Sequence, residues 1–114
     1  VNKQVATFLG NANFLPGQAT PGWVDCELGR LPASGSYQGQ VEVMFRPEEL
    51  HLTPSEAGLA QVVTREYYGH DQLLQLQLQS GLVLYSRLLG SAGDFYPGQR
   101  VELKLRHQPV VYPA

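Results

Sequence analysis

From Leu74 to Gln79 leucine and glutamine alternate, and after Ser80-Gly81 the apolar residues resume as Leu82-Val83-Leu84-Tyr85. A period of two puts the leucines on one face of a strand, so the stretch reads as a β-hairpin. The alternation also sets the turn length. With Gln79-Ser80-Gly81 as a three-residue loop and Gly81 in the left-handed region, Leu78 opposes Leu82 and Leu76 opposes Leu84. A two-residue loop would set Leu84 against Gln77 and mix the faces, because one slip moves every side chain to the other side.

Short apolar runs continue along the rest of the chain. They predict strands over 4–9, 22–29, 40–46, 59–68, 72–79, 82–89 and 100–106. Turn signals separate them at Leu15-Pro16-Gly17, Pro32 to Gly39, Gly69-His70-Asp71, Ser80-Gly81 and Tyr96-Pro97-Gly98. About seven short strands with no helix and no fixed repeat indicate an all-β fold that closes into a small barrel. One segment has two readings. Thr53-Pro54-Ser55-Glu56 has the form of a helical capping box with proline at the first position, while Val62-Val63-Thr64 and Tyr67-Tyr68 favour a strand. The β-branched and aromatic content decides for a strand. The strand 82–89 is apolar on both faces, since Val83, Tyr85 and Leu89 lie opposite Leu82 and Leu84. Such a strand calls for a second covering layer.

Composition narrows the function more than the fold. The chain has 114 residues, which fits one domain, and 43% of them are apolar. Its net charge is −2. Lysine occurs only at Lys3 and Lys104, and the basic residues are scattered singly along the sequence. That pattern argues against a nucleic-acid footprint and against an anionic membrane surface. The single cysteine, Cys26, excludes an intrachain disulfide and fits a reducing compartment. No apolar stretch approaches the roughly 18 residues of a membrane-spanning helix. Val1 is followed by no signal-like segment, and the chain starts without methionine, so it reads as a piece of a longer protein.

No catalytic constellation emerges. Glu48 and Glu49 are sequence neighbours, and neighbours on a strand point to opposite faces. Arg46-Pro47-Glu48 reads instead as a corner, because Pro47 ends or bends a strand, and an extended chain would let Arg46 and Glu48 pair across it. His51, His70 and His107 share no metal-ligand spacing, so no metal site is expected. No serine stands in a nucleophile elbow, no phosphate loop is present, and Cys26 alternates within a strand as a buried, inert thiol would. The aromatic residues are not interleaved with basic ones, as a single-strand nucleic-acid platform requires.

Several segments together resemble one family. Val5 to Gly17 is similar to the stretch that follows the nucleotide-binding domain in ATP-binding subunits of bacterial ABC importers. Phe45-Arg46-Pro47-Glu48-Glu49-Leu50 resembles the R-P-E-x-[LIV] signature of their C-terminal TOBE domains. Tyr68-Gly69-His70-Asp71, the leucine–glutamine hairpin and Pro97-Gly98-Gln99-Arg100-Val101 follow in the family's order. The ferric-iron importers are the most similar type. The resemblance implies one oligonucleotide/oligosaccharide-binding-type barrel over 1–114, with Arg46, Pro47, Glu48 and Gly69 as its structural motif. It implies a regulatory and dimerising domain rather than an enzyme. ATP and magnesium would be held by an absent ATPase domain, with no cofactor here. The partners would be a second copy, the attached ATPase domain and membrane permease subunits, at the cytoplasmic face of the cell membrane. Val83, Tyr85, Leu89, Val110, Val111 and Tyr112 are the expected dimer contacts, and the terminal apolar segments could exchange between protomers. The alternative is a small-ligand barrel for an oxyanion or metal, for which Ser34-Gly35-Ser36 is a candidate anion nest.

Overall fold

The computed structural model describes residues 12–33, 35, 38–89 and 95–113. The strand expected over 4–9 and the Ser34-Gly35-Ser36 nest, apart from Gly35, lie outside the described residues. Among the described residues there are ten strands: β1 Asn13–Thr20, β2 Trp23–Cys26, β3 Gly29–Pro32, β4 Gly39–Phe45, β5 Leu50–Pro54, β6 Ala60–Tyr68, β7 Asp71–Leu78, β8 Val83–Leu89, β9 Arg100–Leu105 and β10 Val110–Pro113. A 3₁₀ turn, Pro47–Glu49, separates β4 from β5. The strands form two antiparallel five-stranded sheets, ordered β10-β4-β1-β2-β3 and β5-β9-β6-β7-β8.

The leucine–glutamine hairpin forms in the expected register. Leu76 faces Leu84, and Leu78 N–H donates to Leu82 C=O at 2.8 Å. Gly81 N–H closes the turn onto Leu78 C=O at 2.9 Å, with Gly81 at φ +96°. The 59–68 segment is strand, as its β-branched residues require, with a bulge between Val62 and Thr64. Ser55 and Gly58 close a turn instead of opening a helix.

Among the described residues ten strands stand where six of the seven expected ones fall, and the differences have local reasons. Leu15-Pro16-Gly17 is not a turn but part of β1. Pro16 precedes the first β1–β2 pair, Gly17 with Cys26, so it sits where β1 has one partner strand and tolerates a missing N–H. The 22–29 run splits into β2 and β3 around Glu27-Leu28, with Gly29 at φ +108°. β5 and β10 were too short to stand out beside Pro47 and Pro109.

Inner faces of both sheets meet in one core. Leu15, Val24, Val43, Phe45, Leu50, Val62, Leu74, Leu76, Leu84 and Val101 are all essentially solvent-free. Polar contacts tie the sheets together. Asn13, fully buried on β1, donates through Nδ2 to Tyr85 C=O (2.8 Å), and Tyr85 N–H donates to Asn13 Oδ1 (2.7 Å). One side-chain amide thus does for β8 what a neighbouring strand's backbone would do. Glu27, in the β2–β3 turn, accepts from Ser80 N–H (3.0 Å) and Ser80 Oγ (2.5 Å) at the tip of the β7–β8 hairpin.

Candidate functional site

The corner at Arg46-Pro47-Glu48 differs from its expected bonding. Pro47–Glu49 coils into a 3₁₀ turn, which brings residue i near i+3 rather than i+2. Glu49 N–H donates to Arg46 C=O (3.0 Å), and the Glu49 carboxylate accepts Arg46 N–H (3.2 Å). The ion pairs among the described residues are Asp25–Arg30 and Asp71–Arg87, so Arg46 and Glu48 do not pair. Pro47 is buried and the corner packs beside β8. Gly69 stands at φ +65° in the two-residue turn between Tyr68 and Asp71, where its missing Cβ permits a tight hairpin.

The other titratable groups stay apart. His51 is exposed on β5, His70 sits in the β6–β7 turn and His107 follows β9. Among the described residues no group of three His, Cys, Asp or Glu side chains could hold a metal. Burial pushes the Cys26 thiol above its ordinary value, which disfavours the nucleophilic thiolate. The Arg30 guanidinium lowers the Asp25 carboxyl, and a hydrogen bond to Glu66 raises the Tyr68 phenol. Arg65 donates to Phe95 C=O and lies 5.0 Å from the centre of the Tyr67 ring. No helix among the described residues is long and apolar enough to cross a membrane.

The outward positions of β8 and β10 carry apolar residues, with Arg87 between Tyr85 and Leu89 on β8. On β8, Val83 and Tyr85 are half-buried and Leu89 is 75% exposed. On β10, Val110 (47%) and Tyr112 (46%) point outward, while Val111 points into the protein's own core. Register extends this second patch beyond what the sequence revealed. Val110 pairs with Met44 and Met44 with Phe14, while Tyr112 pairs with Glu42 and Glu42 with Pro16. Phe14, Pro16 and Met44 therefore share the outer face with Val110 and Tyr112, with Glu42 among them. Exposed apolar residues grouped in this way mark a candidate interaction face.

Sequence comparison finds the TOBE domain family over residues 43–112. Similar curated proteins include Fe(3+) ions import ATP-binding protein FbpC 1 of Rhodococcus jostii (strain RHA1), 34% identical over 100% of this chain and 35% of that protein. FbpC of Yersinia enterocolitica is 34% identical over 98% of this chain and 34% of its own length. The chain thus spans about a third of the length of these relatives. In fold it is similar to the crystal structure of the cytoplasmic molybdate-binding protein ModG with molybdate bound. The TM-score is 0.73 at 16% identity, over 90% of this chain and 96% of that one.

Proposed function

The chain belongs to the TOBE domain family, and from that premise we propose that it is the non-catalytic regulatory and dimerising domain of the ATP-binding subunit of a bacterial ferric-iron importer. The support is twofold. The named relatives are ferric-iron import ATP-binding proteins matching the whole length of this chain. The outward apolar residues Leu89, Val110 and Tyr112 supply a contact surface that the core does not use. The ATPase domain, with its ATP and magnesium, and the membrane permease then lie elsewhere in the assembly, at the cytoplasmic face of the cell membrane.

The observation that carries this reading is the outward apolar surface on β8 and on β10 with its neighbours. Burying such surface contributes about 25 cal/mol per Å² removed from water. Leu89→Asp and Tyr112→Asp place a charge on that surface without touching the core. Each should weaken self-association by at least about tenfold and leave Tm within about 2 °C of the parent, as surface substitutions do. Sedimentation equilibrium measures the first and calorimetry the second. Association unchanged in both variants would remove these patches from the interface. A second reading, a small-ligand barrel, draws on the fold shared with ModG. Titration calorimetry with molybdate and with a ferric salt separates it: saturable heat favours the ligand barrel, and none favours the contact domain.

A further inference from the structure

Basic residues scattered singly in the sequence are sorted by the fold into two groups. Arg30 and Arg87 are held by Asp25 and Asp71, Arg65 by the Phe95 carbonyl, and Arg100 by the Gly58 carbonyl (2.8 and 3.2 Å). The other cationic side chains among the described residues are Arg46, Lys104 and Arg106, and none of them takes part in an ion pair with a described acid. Two of these three gather in one place. β5 pairs with β9 so that His51 stands directly opposite Lys104. Just past the end of β9, Arg106 N–H donates to Glu49 C=O (2.9 Å), which sets the arginine beside the same pair.

Lys104, Arg106 and His51, with Leu105, line one open groove of about 440 Å³. Arg106 Nη2 lies 3.3 Å from His51 Nδ1. Because a guanidinium only donates, Nδ1 accepts, and the ring's proton is left on Nε2. The groove therefore presents an ammonium, a guanidinium fork and an imidazole N–H. No described acid lines this groove, although Glu102 shares a face of β9 with Lys104 two residues away. Glu49 turns its carboxylate to Arg46 N–H, Glu48 is not among the lining residues, and Glu102 lines a neighbouring groove. A cation pair that forms no ion pair with a described acid stands out in a chain of net charge −2.

We propose that this groove binds the phosphate dianion of a small phosphomonoester through Lys104, Arg106 and His51. Three donors of different shape suit a tetrahedral group, which offers three or four oxygens at one point, better than a carboxylate with two. The open side of the groove leaves room for the rest of the molecule. The same headgroup could come from solution or from a lipid, and the experiment separates these sources.

Glycerol 3-phosphate is titrated into the ¹⁵N-labelled chain at fixed ionic strength, and vesicles of phosphatidylcholine with and without phosphatidic acid are tested by co-sedimentation. Saturable shifts centred on His51, Lys104 and Arg106 are expected, with Lys104→Ala and Arg106→Gln each weakening binding about tenfold. Both residues are exposed, so the variants retain the parent's fold, checked by Tm. Binding only to phosphatidic acid, lost in the same variants, assigns the headgroup to lipid and keeps the site. Shifts that never saturate in either arm, or binding that both variants retain, overturn it. So does displacement by an acidic peptide at equal affinity.

Discussion

Gly58→Ala is expected to destabilise the protein by about 3 kcal/mol and to lower Tm by roughly 10–15 °C. Gly58 has an ordinary φ, so the penalty is purely steric. A Cβ there would stand 2.4 Å from both C and O of Val101 and 2.7 Å from its N. Val101 is fully buried in β9 and pairs with Pro54 on one side and Ala60 on the other, so its backbone has nowhere to move. Shifting residue 58 instead would break its carbonyl's two bonds from Arg100 and its N–H bond to Ser55 (2.9 Å). Gly17→Ala makes the contrast. Its Cβ would meet Val24 Cγ2 at 2.8 Å, Val43 Cγ2 at 3.1 Å and the Asp25 carbonyl oxygen at 3.2 Å, so the closest contacts are to side-chain methyls, which give more readily than the Val101 backbone. A loss nearer 1 kcal/mol is expected there. A Gly58→Ala Tm within about 2 °C of the parent would show that β9 is not fixed as described.

The second large effect is at the seam. Asn13→Asp is expected to cost about 3–5 kcal/mol at pH 7, and the cost should shrink in acid. Both Asn13 amide atoms serve the Tyr85 backbone in a site closed to solvent. An ionised carboxylate can accept from Tyr85 N–H but sets a negative oxygen against Tyr85 C=O. A protonated one can accept and donate, as the amide does. Burial and the facing carbonyl therefore raise the native-state pKa of this aspartate above its unfolded value of about 3.9. The native state then binds more protons than the unfolded state. Relative stability falls as pH rises through the unfolded value, and the full loss is present above the raised native value. Urea unfolding of parent and variant between pH 4 and 8 measures the difference. A gap independent of pH would contradict the assigned bonds.

Local pattern carried the parts of this fold that depend on near neighbours. The hairpin at Gln79-Ser80-Gly81 was legible because period-two alternation leaves one turn length that keeps leucine against leucine. The position of the corner at Pro47 was legible too, since proline interrupts a ladder. Its bonding was not, because a 3₁₀ turn exchanges an i, i+2 relation for an i, i+3 one and hands the role from Glu48 to Glu49. The β2–β3 hairpin hid inside an alternation that runs unbroken across Glu27-Leu28. Asn13 escaped notice because its partner is 72 residues away. The available sign was a lone amide at an inward position between Ala12 and Leu15. Outward apolar residues were read correctly on β8, whereas Val111 joined the core because a four-residue strand gives too short an alternation to set its faces. The cationic groove draws on residues 51 and 104–106, and no window of sequence contains both.

Sedimentation equilibrium of the unmodified chain from about 1 to 100 µM tests most directly whether it acts by contact with another copy. Reversible dimers, dissociating on dilution and lost in Leu89→Asp, are the predicted result. A monomer throughout that range, with the fold intact by Tm, would contradict it.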